Sequence, residues 1–226
     1  MSNGVAGTTI QHHPSEATLV SQATGTLWQA AAVIVRAHLD CCAQCSATVR
    51  LAEAVGGALL DGLPPAPLTS DALQRALDRL DNEGGRALMG RNVSAAQQGA
   101  MADRQAHSVL LPGVRNARLR RLAPGIRHAV LLRGPDGEAL RLLRVKPGTA
   151  LPRHSHRGAE LTLVLEGAFA DETGHYGPGD LAEIAEEMSH RPTAEGAVDC
   201  VCLIATQGRL RFGALLSRLF GVVARV

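Results

Sequence analysis

The sequence predicts an α+β protein in which a small N-terminal helical bundle is followed by an all-β barrel. Apolar residues recur at helical intervals from Pro14 to about Asn82, whereas short apolar runs beyond His107 alternate with a period of two. A stretch rich in Gly, Ser, Ala and Gln separates the two patterns. We therefore expect a helical domain over residues 1–82, a linker over 83–107 and a barrel domain over 108–226.

Four helices are expected in the first domain, because capping residues precede each helical pattern and a Pro-rich break at 63–67 precedes the last. The expected helices are Glu16 to Ala23, capped by Ser15; Trp28 to Asp40, opening at Thr26; Cys42 to Leu59; and a fourth that opens at Thr69, Ser70 and Asp71 and carries Leu73, Leu77 and Leu80 on one stripe.

The second domain is expected to be a barrel or sandwich, because its strand-like runs are short and Gly-Pro turns separate them. The clearest runs are His128 to Leu132, Ala139 to Val145, Glu160 to Leu165 and Val198 to Ile204. The apolar tail, 213–226, is expected to form a closing helix or strand.

Composition excludes several classes of function. Hydrophobic residues make up 46% of the chain and charged residues 19%, which suits a packed core. A net charge of +2, scattered arginines and only 2% aromatic residues argue against direct binding of nucleic acid. No apolar stretch approaches ~20 residues, so no membrane association is expected. The first residues lack the features of a secretory signal, and we expect a cytoplasmic protein.

The first cluster of potential metal ligands lies where the second expected helix meets the third. His38, Cys42 and Cys45 fall on one face if the chain is helical there, so an imidazole and two thiolates converge. Tetrahedral zinc needs a fourth ligand, for which His13 is the best candidate and His12 the close rival. Geometry alone does not exclude Cys41. Such a closed site would be structural rather than catalytic.

The His-x3-Cys-x2-Cys motif with a histidine upstream resembles the zinc-binding anti-sigma factors, in which a four-helix domain clamps an extracytoplasmic-function sigma factor. The resemblance implies that Zn²⁺ binds to His13, His38, Cys42 and Cys45 and that Cys41 lies outside the ligand set.

A second cluster lies in the expected barrel. His154 and His156 are two apart and so share one side of a strand, Glu160 follows at even spacing, and a segment beginning at Gly179 reaches His190. These segments resemble the cupin signature, which implies a jelly-roll barrel and a site of three imidazoles and one carboxylate. The site would take Zn²⁺ or another divalent metal. The family's Pro-x-Gly is replaced here by Ala185-Glu186-Glu187.

Other histidines and cysteines are weaker candidates. His107, His128 and His175 have no partners at ligand spacing and are expected on the surface or in the core. Cys200 and Cys202 share one face of an expected strand, where they are either redox participants or buried core residues.

A His/Cys zinc domain followed by a cupin resembles the ChrR-type anti-sigma factors. The resemblance implies a regulator without catalytic turnover, in which the helical domain sequesters an extracytoplasmic-function (group IV) sigma factor and the cupin responds to oxidative stress of the singlet-oxygen or organic-peroxide type. The alternative is a metal-dependent cupin dioxygenase with a helical accessory domain, although no further acid or base lies at recognisable spacing.

Overall fold

The computed structural model describes residues 10–82, 114, 117–186, 188–208 and 210–212. The expected linker, 83–107, and the tail, 213–226, lie outside the described residues, as does His107. Within the described ranges a helical part precedes an all-β part, and this confirms the α+β class. No helix in these ranges is long and apolar enough to span a bilayer.

Four helices form the N-terminal part, close to the expected ranges: α1 (Glu16–Ala23), α2 (Gln29–Leu39), α3 (Ala43–Asp61) and α4 (Ala72–Asn82). Ser15 caps α1 as expected, since its hydroxyl oxygen accepts from the N–H of Thr18. The expected start at Thr26 was wrong. The Thr26 hydroxyl donates back to the carbonyl of Ser21, and α2 begins after Trp28, whose side chain makes no cap.

Eleven strands follow in the part of the chain that the structure describes: β1 (Arg120–Ala123), β2 (Ile126–Arg133), β3 (Ala139–Val145), β4 (His154–His156), β5 (Glu160–Glu166), β6 (Ala168–Asp171), β7 (Gly174–Tyr176), β8 (Leu181–Ile184), β9 (Thr193–Glu195), β10 (Cys200–Thr206) and β11 (Leu210–Phe212). The largest sheet has the order β1-β2-β3-β10-β5-β8, and the smaller sheets are β7-β6-β9 and β11-β4. All pairs are antiparallel. The four expected strands correspond to β2, β3, β5 and β10.

The central strands of the large sheet are buried on both faces, because successive side chains alternate between two cores. In β10, Cys200 and Cys202 face the inside of the barrel, whereas Val201, Leu203 and Ala205 face outward and contribute to a core that includes residues of α2. This double burial explains why the strands read as nearly continuous apolar runs.

Helix α2 lies on the outer face of this sheet and contacts β3, β5 and β10. Its side chains Ile34 and Val35 are fully buried in the same cluster as Leu140 and Leu161 of the barrel. The helical part and the barrel therefore share one hydrophobic core, and the two are expected to unfold together.

Carboxylates of the barrel accept hydrogen bonds from the N-terminal ends of α1 and α2. Glu138 accepts a hydrogen bond from the backbone N–H of Ala30 in the first turn of α2. Glu183 of β8 accepts from the backbone N–H of Ser15 and from the hydroxyl of Thr18 at the start of α1. Anionic side chains at these positions satisfy free N–H groups and complement the helix dipole.

Replacing Ile34 by alanine is expected to lower the free energy of unfolding of the whole chain by about 2–5 kcal/mol, because the side chain fills the core shared by α2 and the barrel. Leu59→Ala is the matched control, since Leu59 is 71% exposed and its loss should change stability by less than about 0.5 kcal/mol. Denaturant unfolding followed by circular dichroism and Trp28 fluorescence measures both. Equal effects of the two substitutions would contradict the shared core.

Candidate metal centres

The first cluster brings together His13, His38, Cys42 and Cys45, each offering one ligand atom, and these atoms all lie within 4.8 Å of one another. Nδ1 of His13 is 3.4 Å from Sγ of Cys42 and 3.4 Å from Sγ of Cys45. His38 and both cysteines are buried. The structure therefore assembles all four residues that the motif predicted as ligands, in a nitrogen- and sulfur-rich set.

The chain turns at this cluster and does not continue as one helix. Helix α2 ends at Leu39 and α3 begins at Ala43, with Cys42 in the N-cap position. Sγ of Cys42 accepts a weak hydrogen bond from the backbone N–H of Cys45 at 3.5 Å. Because Cys42 is the N-cap residue of α3, Cys42 and Cys45 both lie close to the last turn of α2, which carries His38.

The chemistry of this cluster fits a soft divalent cation. Nδ1 of His38 is 2.9 Å from the carbonyl oxygen of Gly179 and donates to it, which leaves Nε2 facing the cluster. Among the described residues, this buried Nε2 has no hydrogen-bond partner. Burial lowers the pKa of His38 and raises the pKa of the Cys45 thiol to about 12, so the thiol needs a bound cation in order to ionise.

His12 and Cys41 lie beside this cluster rather than in it. The His12 ring packs against Tyr176, with 4.4 Å between ring centroids, and its Nδ1 is 3.6 Å from Oδ2 of Asp180. The Cys41 thiol is exposed and donates to the carbonyl of His38 at 3.2 Å. Of the two adjacent histidines, His13 is the one that the structure places among the potential ligands.

The second cluster brings together His154, His156, Glu160 and His190 inside the barrel, with their ligand atoms within 4.8 Å of one another and all four residues buried. Strand β4 carries the first two histidines, β5 begins at Glu160, and His190 forms an isolated bridge to His154. Oε2 of Glu160 lies 3.0 Å from Nε2 of His156, and Oε1 lies 3.6 Å from Nε2 of His190.

The donor atoms of the second cluster also fit a divalent cation. Nε2 of His156 and of His190 are buried, and neither makes a hydrogen bond within the described part of the chain, although Glu160 is close to both. Burial lowers the pKa of His154 to about 4 and that of His156 to about 3, so both rings are neutral ligands at neutral pH. Burial raises the pKa of Glu160 to about 7, against the opposing effects of His190 and Thr162.

Two outer contacts orient the rings of the second cluster. Nδ1 of His154 donates to the carbonyl of Pro152 at 2.8 Å, and Nδ1 of His190 donates to Oδ2 of Asp171 at 2.8 Å. Asp171 also accepts from the backbone N–H of Thr173. The sequence prediction missed Asp171, because an aspartate at the end of a strand, just before a turn, carries no signal that distinguishes it from an ordinary turn-flanking residue.

The second cluster opens into a small barrel cavity of about 40 Å³. Apolar residues that include Leu143, Phe169 and Ile184 line it, and Cys200 and Cys202 face the same space. The hydrogen bond to Cys200 and burial together raise the pKa of the Cys202 thiol well above its ordinary value. The same hydrogen bond lowers the pKa of the Cys200 thiol. Both thiols are buried, and Cys202 lies near the Glu160 carboxyl.

The remaining described histidines do not join either cluster. His175 is exposed and pairs with Glu195 at 3.0 Å, and His128 is half-buried in β2. In the second cupin segment His190 joins the cluster, as the glycine-to-histidine spacing predicted. Of the altered stretch, Ala185 and Glu186 lie outside regular secondary structure, and residue 187 lies outside the described residues.

Comparison with known proteins agrees with this geometry. Residues 111–209 match the family described as the ChrR cupin-like domain. The chain is 40% identical over 212 residues to the anti-sigma-E factor ChrR of Cereibacter sphaeroides, an alignment that covers 93% of this chain and 96% of that protein. The chain belongs to the ChrR family of anti-sigma factors. Anti-sigma factors act by binding, so a member of this family is a regulator rather than an enzyme.

A solved structure from the ChrR family shares the fold. The crystal structure of Rhodobacter sphaeroides SigE in complex with the anti-sigma ChrR contains a chain that is 37% identical, with a TM-score of 0.71, and the match covers 88% of this chain and 100% of that one. The resemblance to the ChrR type and the cupin barrel, both predicted from ligand spacing, are thereby confirmed.

Purified protein is expected to carry two divalent metal ions per chain, one for each cluster. Cys45→Ser should remove one and Glu160→Gln the other, because each substitution withdraws a buried ligand. Cys41→Ser is the matched control for Cys45→Ser, since Cys41 lies next to the first cluster but outside it. Metal analysis by mass spectrometry tests this, and equal loss from the two cysteine variants would contradict the ligand set.

Asp171→Asn is expected to weaken metal binding at the second cluster by about 10–100-fold, because the hydrogen bond that orients His190 loses its charged acceptor. Glu195→Gln, which alters the exposed pair with His175, should leave affinity unchanged. Competition with a chromophoric chelator measures both. An unchanged affinity in Asp171→Asn would show that the ring is oriented by other contacts.

Proposed function

We propose that this chain sequesters an extracytoplasmic-function (group IV) sigma factor through its helical domain, 1–82, and that the cupin domain, 108–226, joined by the linker 83–107, controls this binding in response to oxidative stress. The observation that carries the proposal is 40% identity to an anti-sigma-E factor over 93% of the chain.

An exposed apolar surface supports binding of a protein partner. Leu51, Val55 and Leu59 follow one another at intervals of four along α3, so they form one stripe, and each is more than half exposed. Leu73 and Leu77 form a similar exposed stripe on α4. Soluble proteins rarely leave such faces uncovered, and a partner with a complementary apolar surface explains them.

We assign Zn²⁺ to the first cluster, because two thiolates and two imidazoles are a typical closed tetrahedral set for that ion. Bound there, zinc would supply structural cross-linking and no open coordination position. His13 would tie the segment before α1 to the α2–α3 junction and so hold the helical domain in a binding-competent shape. Three imidazoles and one carboxylate in the second cluster suit Zn²⁺ or another divalent metal.

The cupin cavity is the proposed sensing site. Its cluster lies beside two buried thiols, Cys200 and Cys202, and the cavity is lined mainly by apolar side chains. An uncharged oxidant such as singlet oxygen or an organic peroxide can enter an apolar cavity at lower desolvation cost than a charged one. A cytoplasmic location, without direct contact with nucleic acid or membrane, is part of the same proposal.

Co-expression with the alternative sigma factors of the host, followed by co-purification, tests the proposal. A stable complex with one of them is expected. Val55→Lys should weaken that complex by about 30-fold or more, because a charge would be buried in the apolar contact. Glu53→Lys on the opposite side of the same helix is the control and should leave it intact. Failure to capture any sigma factor would refute the proposal.

A further inference from the structure

We infer that the barrel positions ligands of the N-terminal metal centre through hydrogen bonds, and that Asp180 is a positioning residue for this centre. The inference extends the metal assignment made above for the first cluster. Its basis is a set of contacts from the turn that leads into β8, residues 177–180, to the chain segments that carry His13 and His38.

The barrel fixes the ring of His38 directly. The carbonyl oxygen of Gly179 accepts from Nδ1 of His38 at 2.9 Å across the interface between the two parts of the chain. This contact sets the tautomer with its free nitrogen at Nε2, which is the atom that faces the cluster. The helical part by itself would not provide this acceptor.

Asp180 fixes the segment that carries His13. Its Oδ1 accepts from the backbone N–H of Gln11 at 2.7 Å and from that of His12 at 2.9 Å, and the N–H of Leu181 donates to the carbonyl of His12 at 3.1 Å. The residue before the ligand is therefore held at both its N–H and its carbonyl. Since this segment precedes α1, no helical hydrogen bonds hold it in place.

Close packing makes the same turn specific for glycine. Gly179 has a φ of +89°, and a Cβ at this position would lie 2.8 Å from Cγ1 of Ile10. Absence of a side chain thus lets the backbone of this turn approach Ile10 in the N-terminal segment. Gly179 is therefore part of the close packing between this turn and the N-terminal segment.

The same strand also reaches the second cluster. Ala182 and Ile184 of β8 line the cupin cavity, and Ile184 is paired in register with Glu160. One short strand therefore contacts the cavity with alternate side chains and begins at the turn that holds the first centre. A shift of β8 would alter both sites, which gives the cupin domain a physical route to the zinc centre.

The test compares metal release from the first cluster in full-length chains loaded with Co²⁺, because thiolate-to-cobalt charge-transfer absorption reports only the cysteine-containing site. Asp180→Ala is expected to release cobalt to a chelator about 10–100-fold faster than wild type. Glu138→Ala is the matched control, since it also removes a barrel carboxylate that accepts from a backbone N–H of the helical part. That N–H belongs to Ala30 in the first turn of α2, at the opposite end of the helix from His38. The control variant should release cobalt at the wild-type rate.

Equal release rates in wild type and Asp180→Ala, or equal acceleration in Asp180→Ala and Glu138→Ala, would overturn the inference. If Asp180→Ala fails to retain metal in the cupin cluster, Asp180→Ser replaces it, because the shorter serine side chain cannot reach the N–H groups of both Gln11 and His12. A wild-type rate in that variant would likewise overturn the inference. The measurement needs no sigma factor. Failure to capture one would therefore refute the proposed function while leaving this result standing.

Discussion

The burial of α2 against the outer face of the large sheet is the interaction on which the rest of the structure depends. Ile34 and Val35 lie in the same core as barrel leucines, so the helical part does not need to be stable by its own small core. This arrangement also places the end of α2, with His38, against the turn before β8. Because of this packing, the first cluster lies where the helical part meets the barrel.

Both clusters combine deep burial with ring nitrogens that have no hydrogen-bond partner among the described residues, such as Nε2 of His38 and of His156, and a bound cation would satisfy them. A buried carboxyl such as Glu160 and a buried thiol such as Cys45 hold their protons in the absence of a positive partner, as their raised pKa values indicate. The two sites differ in what metal would do there. The sulfur-rich cluster would close around an ion and cross-link the helices, whereas the second cluster faces a small cavity lined mainly by apolar side chains.

The sequence allowed the helices, the principal strands and both ligand sets to be predicted, because periodicity and short-range spacing determine them. His38, Cys42 and Cys45 could be grouped even though the chain turns between α2 and α3, since an N-cap residue stays near the preceding turn. The preference for His13 over His12 came from the resemblance to the zinc-binding anti-sigma factors and not from local patterns, because both histidines lie in a segment positioned by Asp180, which is distant in sequence. Contacts of this kind depend on the docking of the helical part on the barrel, which local patterns do not encode.

The central claim is that the helical part, held in shape by the first metal centre, binds a sigma factor while the cupin domain only controls it. The most direct measurement is the affinity of full-length chain for its captured sigma factor, compared between wild type, a His38→Ala, Cys42→Ala variant and a His154→Ala, Glu160→Ala variant. The account predicts that the first variant loses binding and the second retains it but no longer releases the sigma factor under oxidative stress. Unchanged binding in the first variant, or loss of binding in the second alone, would contradict it.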